Sequence, residues 1–210
     1  MIDGLMKKHI DPLWESASTP LVKLGMTPNQ VTITGLVLVC AVSMAFVWHG
    51  STLILGLMLT FAFAFDALDG AVARRRDMCS KVGGYFDAVV DRYQELVVFV
   101  AIAWVIDAWP LAMIAFAGGV FTSYAKARTA IEMPVSNENW PDLFERLERV
   151  IFLCLVLIVD GVVMIAGASS HWVLLAGLAL YAVLAHATAL QRAFRAAAML
   201  RAEELRNPDA

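Results

Sequence analysis

The sequence has 210 residues, 60% of them hydrophobic and 17% charged, with a formal net charge of −3 and a mean hydropathy of +0.70. Soluble domains hold roughly 45–50% apolar residues, so this composition excludes an ordinary soluble globular domain. Cys40, Cys79 and Cys154 are far apart and show no metal-ligand spacing, which argues against a disulfide framework and leaves them as reduced packing residues.

The N-terminal stretch MIDGLMKKHIDPLWES has no apolar core after Lys7 and Lys8, so it does not read as a cleavable signal peptide. Ile2, Leu5, Met6, Ile10, Leu13 and Trp14 recur at three-to-four spacing among Lys7, Lys8 and Asp11. The pattern predicts a short amphipathic helix over 2–16 lying on a membrane surface, ended or kinked by Pro12. Six apolar segments follow, at approximately 31–48, 52–73, 85–106, 110–131, 149–167 and 171–191. Each approaches or exceeds the ~20 residues that carry a helix across a bilayer. Short links between the first and second, and between the third and fourth, predict antiparallel helical hairpins. Pro110 sits near the start of the fourth, where its missing N–H costs little. Residues 132–147 form the longest polar connector, with Pro141-Asp142 the expected start of the next helix. The last ten residues, RAEELRNPDA, read as a solvated helix end. The expected fold is therefore all-α: one polytopic membrane domain over 1–210, with an interfacial segment over 1–25 and a bundle of six transmembrane helices over 31–200.

The 16 basic residues sort by position. In a six-span serpentine all of them fall on one side or at that side's helix ends. The opposite connections, His49-Gly50-Ser51, Ile106 to Trp109 and Gly167 to His171, contain no Lys or Arg. The positive-inside rule makes the basic side, with both termini, cytoplasmic. The inner membrane is the expected location.

Asp66 and Asp69 are three residues apart at the cytoplasmic end of the second segment. Asp87 and Asp91 are four apart at the same end of the third. Both spacings place side chains on one helical face, and the turn between is short enough for the two faces to meet. Four carboxylates at a membrane boundary repel and desolvate badly without a cation. Hard oxygen donors suit Mg²⁺, Mn²⁺ or Ca²⁺. Gly70, Ala73 and Gly83 keep the approach to the acids open. Arg74, about two turns beyond Asp66, is able to fork a pyrophosphate.

The run Asp66-x2-Asp69-Gly70-x2-Ala73-Arg74-x8-Gly83-x3-Asp87-x3-Asp91 resembles in full the signature of the CDP-alcohol phosphotransferases. The six-span plan and the N-terminal helix are similar as well. The resemblance implies transfer of a substituted phosphoryl group from a CDP-linked lipid to an alcohol, with release of CMP. It implies that Asp66, Asp69, Asp87 and Asp91 bind one or two divalent metals, Mg²⁺ or Mn²⁺. Gly70, Ala73, Arg74 and Gly83 would line the CDP site, and Asp91 would be the general base. A homodimer is expected from the same resemblance, with Gly118-Gly119 allowing close helix approach. No nucleic-acid partner is expected.

The signature leaves the acceptor open. Lys126 and Arg128 close the fourth segment, Glu145-Arg146-Leu147-Glu148-Arg149 opens the fifth, and Gln191-Arg192 closes the sixth. These groups lie level with the aspartates and suit an acceptor that carries a phosphate, although a headgroup-level basic belt has the same composition. The three stretches resemble their counterparts in phosphatidylinositol-phosphate and archaetidylinositol-phosphate synthases. That resemblance implies inositol phosphate as acceptor, held by Lys126, Arg149 and Arg192. Glycerol-3-phosphate and serine are the alternatives. An ion-coupled transporter is the reading from another class; it calls for acids near mid-membrane, broken helices and internal repeats, none of which the sequence shows.

Overall fold

The computed structural model describes residues 2–135 and 142–206. All regular structure among them is helical: α1 (Ile2–Lys23), α2 (Pro28–His49), α3 (Thr52–Asp66), α4 (Leu68–Arg75), α5 (Lys81–Ile106), α6 (Trp109–Glu132), α7 (Arg146–Ile165) and α8 (Trp172–Arg206). Three stretches, Pro28–His49, Thr52–Arg75 and Trp172–Leu205, are long and apolar enough to cross a bilayer by length and composition. α5, α6 and α7 have 26, 24 and 20 residues, but each carries charged residues at the end nearest the aspartates.

Local chemistry sets the helix ends. Thr27 and Gln30 form a reciprocal capping box at the start of α2, with Pro28 in its first turn, where the absent N–H has no intrahelical partner to lose. Gly50 ends α2 in the left-handed region at φ 65°, a conformation that costs glycine little. The Ser80 hydroxyl accepts from Gly83 N–H at 3.0 Å and starts α5, and Pro110 falls in the first turn of α6 as anticipated.

Three boundaries differ from the sequence reading. α1 continues through Pro12 and Pro20 to Lys23. The stretch 52–73 is two helices, because Ala67, with ψ −8°, breaks the ladder between α3 and α4. α7 starts at Arg146, behind an extended Glu145. Pro141 lies outside the described residues. The Asp142 carboxylate is bound to Arg192 and Arg195 and so does not cap a helix.

The chain runs back and forth between two ends. At one end, buried Asp160 near the close of α7 accepts from the Thr52 hydroxyl at 2.9 Å and the Leu174 N–H at 3.0 Å, with His171 Nδ1 at 2.6 Å. This joins α3, α7 and α8. Trp48, Trp104, Trp109 and Trp172 are exposed at that same end. The opposite end carries the aspartates. Between the ends, an apolar core runs through α2, α3, α5, α6, α7 and α8. Small residues let these helices approach closely: a Cβ on Gly56 would stand 2.8 Å from Ile158 Cγ1, and one on Gly118 2.8 Å from Ala185 Cβ. Gly118 and Gly119 are therefore spent inside the chain. Gly118 faces α8, and Gly119 faces Glu95, Arg149 and Tyr181, so neither offers the outer contact that the sequence suggested for a second copy.

Candidate active site

The break at Ala67 sets the geometry of the acids. Asp66 is the last residue of α3, Asp69 lies in the first turn of α4, and Asp87 and Asp91 stand one turn apart near the start of α5. Oxygens of Asp66, Asp87 and Asp91 lie within 4.8 Å of one another. Asp69 adjoins Asp87. Its carboxylate accepts from the Thr32 hydroxyl at 2.7 Å and from the Gly70 N–H. α2 makes room for this arrangement at Gly35, where a Cβ would collide with the Asp66 side chain. The donor set fits a hard divalent cation, since only carboxylate oxygens converge. Asp66 Oδ1, although buried, accepts no hydrogen bond among the described residues, which leaves a lone pair for such a cation.

Charges of alternating sign extend from the cluster into the bundle. Arg146 at the start of α7 meets Asp66 Oδ2 at 3.2 Å, Gln94 Oε1 at 3.1 Å, and Asp91 in a close ion pair. Arg92 lies 3.7 Å from Asp91 and 3.2 Å from Glu95, and also donates to the Ser123 hydroxyl. Arg149 closes the series on Glu95 at 3.2 Å. Buried ions are tolerated in such company because each has an opposite charge in reach.

The residues expected to line a nucleotide lie on one flank. Gly70, Ala73 and Arg74 share α4, and Arg74 Nη1 reaches to 3.5 Å from where a Cβ on Gly70 would stand. Gly83, in the first turn of α5, has Asn29 Oδ1 3.8 Å from its Cβ position. The neighbouring arginines buttress α4. Arg75 donates to Glu15 O and Thr19 Oγ1, each at 2.7 Å, and Arg76 donates to Gly25 O at 2.7 Å. α1 and the turn after it thereby fix the helix that carries Arg74.

The residues expected at the acceptor lie on the other flank. Lys126 of α6 stands beside Arg192 of α8, with Asp142 and Glu145 adjacent. Arg192 donates to the Thr122 carbonyl and pairs with Asp142. Arg149 is deeper, 2% exposed, with its guanidinium on Glu95 and on the Phe144 carbonyl at 3.4 Å.

Five residues of the site were not singled out from sequence: Thr32, Gly35, Gln94, Glu95 and Arg146. Gln94 and Glu95 were legible in principle, being three and four residues beyond Asp91 and so on its face of the helix. Arg146 showed only as one basic residue among several. Thr32 and Gly35 carry no sequence signal of their own; tertiary contact alone brings them to the acids.

The comparisons with known proteins agree with this geometry. The family profile described as CDP-alcohol phosphatidyltransferase matches residues 25–185. The archaetidylinositol phosphate synthase of Pyrococcus horikoshii is 29% identical over 197 residues, covering 93% of this chain and 96% of that one. The enzyme of the same description from Methanothermobacter thermautotrophicus is 30% identical, covering 90% and 88%. Among solved structures, the Mycobacterium tuberculosis phosphatidylinositol phosphate synthase with CDP-DAG bound superposes with a TM-score of 0.75 at 27% identity, over 88% of this chain and 94% of the other. The same protein in complex with manganese and citrate gives the same TM-score and identity. With its metal-type carboxylate cluster, its apolar helices and a family match across most of its length, the chain belongs to the CDP-alcohol phosphatidyltransferase family and is an integral membrane protein.

Proposed function

We propose that this chain transfers the phosphatidyl group of a CDP-linked lipid to inositol phosphate, releasing CMP, as a step of phospholipid synthesis. The carboxylate cluster of Asp66, Asp87 and Asp91, with Asp69 adjoining, carries the reading, because a metal-assisted transfer from a pyrophosphate needs such a donor set. A divalent metal, Mg²⁺ or Mn²⁺, held by these four residues would neutralise charge on the pyrophosphate oxygens and the departing CMP. Arg74 forks the pyrophosphate from α4, while Gly70, Ala73 and Gly83 let the nucleotide approach the helix backbones. Asp91 takes the proton of the acceptor hydroxyl as its oxygen attacks the lipid-bearing phosphorus. The new P–O bond forms at the acceptor oxygen, and the bond from that phosphorus to the CMP oxygen breaks. Lys126, Arg149 and Arg192 hold the acceptor's phosphate. Lys126 and Arg192 lie side by side, with Asp142 and Glu145 adjacent, while Arg149, 2% exposed, would have to release Glu95 to reach the phosphate.

Six membrane-crossing helices accommodate this site: α2, α3 continued by α4, α5, α6, α7 and α8, within a single domain over 1–210. α1 lies along the membrane surface, tied to α4 by Arg75. The exposed tryptophans at the far end suit the opposite interface, and the one-sided basic residues support a cytoplasmic, inner-membrane location for the aspartates and both termini. A homodimer is part of the proposal, with the apolar outer faces of α5 and α6, including Val100, Trp104 and Ile114, available for it.

The experiment is CMP release by the purified protein with one CDP-lipid and a panel of inositol phosphate, glycerol-3-phosphate, serine and free inositol. Turnover with inositol phosphate alone is the expected result. Turnover with glycerol-3-phosphate or serine instead reassigns the acceptor, and no CMP with any alcohol removes the enzymatic reading in favour of a transporter. Lys126→Ala should raise the acceptor KM by about tenfold, the loss of one charge-assisted contact, and leave the donor KM in place.

A further inference from the structure

Arg146 satisfies the carboxylates that a metal would use. Its Nη2 atom lies 3.2 Å from Asp66 Oδ2 and in a close ion pair with Asp91 Oδ1, and its third partner is Gln94 Oε1 at 3.1 Å. Two of the three residues whose oxygens converge within 4.8 Å are therefore shared with this one guanidinium. The arginine is not held there by lack of alternatives in its neighbourhood. Glu95 lies close enough to contribute to its electrostatics, yet the hydrogen bonds go to Asp66 and Gln94. Its Nε is buried without a hydrogen-bond partner among the described residues, so the side chain forgoes one bond while it spans α3 and α5. A guanidinium and a divalent cation on the same oxygens repel each other strongly at contact distance in a partly desolvated site.

From these contacts we infer that Arg146 is the built-in counter-ion of the aspartate cluster and that metal binding must loosen its grip, so that Arg146 sets the metal affinity. The inference rests on the metal-dependent reading above. Arg146 is a positioning residue here: it holds Asp66 and Asp91 together and offsets their repulsion, and it gives up those contacts to a stronger cation. The preceding residue, Glu145, lies beside Lys126, so the end of α7 that is loosened is the end beside the residues proposed for the acceptor.

The test is a Mn²⁺ titration of the purified full chain in detergent, without nucleotide, following free Mn²⁺ by electron paramagnetic resonance. Arg146→Gln should bind Mn²⁺ more tightly than wild type, by about tenfold, the effect of removing one positive charge at close range. Its Tm in chelator should fall, and Mn²⁺ should raise that Tm by more than it raises the wild-type value. A structural role without competition predicts the lower Tm but not the tighter binding. Arg146→Lys keeps the charge on a shorter, more strongly hydrated head; it should tighten Mn²⁺ by a smaller factor, and it serves if the Gln variant does not fold. Unchanged or weaker Mn²⁺ binding in the variants overturns the inference. Should wild type bind no Mn²⁺ at all, the metal reading itself fails, a result distinct from normal wild-type binding with unresponsive variants.

Discussion

Thr32 on α2 donates its hydroxyl to Asp69 on α4 at 2.7 Å, across 37 residues of sequence. That bond fixes one Asp69 oxygen, while the Gly70 N–H engages the other. A hydrogen bond from the layer behind a ligand orients it, and its loss typically costs 10–100-fold in metal affinity. Thr32→Val, nearly the same shape without the hydroxyl, should therefore weaken Mn²⁺ binding by about tenfold or more. Thr32→Ser should stay close to wild type. Mn²⁺ titration of the two variants checks this.

Gly35→Ala sets helix propensity against a collision. In the interior of a helix, alanine is favoured over glycine by about 1 kcal/mol. Here the new Cβ meets the Asp66 side chain, including the Oδ1 atom that lacks a partner. Asp66 must move out of the cluster. The expected outcome is a Tm near or above wild type with Mn²⁺ affinity and turnover both sharply reduced. A circular-dichroism melt and a metal titration on the same preparation separate the two effects.

Asp91→Asn keeps the shape of the side chain and removes its ability to take a proton. Turnover should fall by at least about a hundredfold, the low end of what a positioned general base supplies, while CDP-lipid binding remains largely intact. Single-turnover CMP release and direct CDP-lipid binding provide the check. Normal turnover by this variant would assign the base elsewhere.

Arg149 and Glu95 are 2% and 5% exposed and 3.2 Å apart. Arg92 also pairs with Glu95, at 3.2 Å, so removing Arg149 leaves Glu95 with one partner in place of two. Arg149→Ala should accordingly destabilise the fold by less than the about 3–5 kcal/mol that a fully uncompensated buried charge costs. Replacing both residues together, Arg149→Met with Glu95→Leu, should recover little of that loss, because Arg92 then loses its nearer partner and keeps Asp91 at 3.7 Å. Thermal melts of the single and double variants test this. In the double variant, a raised acceptor KM with an unchanged donor KM then reports the phosphate contact proposed for Arg149.

Much of this was legible before any coordinates. Asp66, Asp69, Asp87 and Asp91 announced themselves because carboxylates at helical spacing inside apolar runs are costly unless they are used. The all-α class followed from the lengths of those runs, and Pro110 marked a helix start correctly. The break at Ala67 was not legible, because Phe65-Asp66-Ala67-Leu68 contains no glycine or proline, the usual breakers. Pro12 misled in the opposite direction. A proline there removes one N–H, yet α1 continues for eleven residues to Lys23. Gly118 and Gly119 were correctly read as sites of close approach, but a sequence does not say whose backbone approaches. Arg146 and Arg149 share one short basic stretch and look alike on paper. Only the way α7 packs against α3 sends the first to Asp66 and the second across to Glu95 on α5.

The length of α8 bears on the proposed reaction, in which two unlike substrates meet at one site. At about 1.5 Å per residue, Trp172 and Arg192 are about 30 Å apart along this helix, the thickness of a bilayer's hydrocarbon layer. Trp172 is exposed at one end of that stretch, and α8 continues past Arg192 as far as Arg206. Arg195, one turn past Arg192, lies 3.6 Å from Asp142, so the segment leading into α7 is clamped to α8. In the proposed reaction a charged sugar phosphate would arrive from the aqueous phase, and the donor would slide in from the side with its tails still dissolved in the membrane. On that proposal the two reactants would come from different phases, and neither would have to leave its own solvent to meet the other.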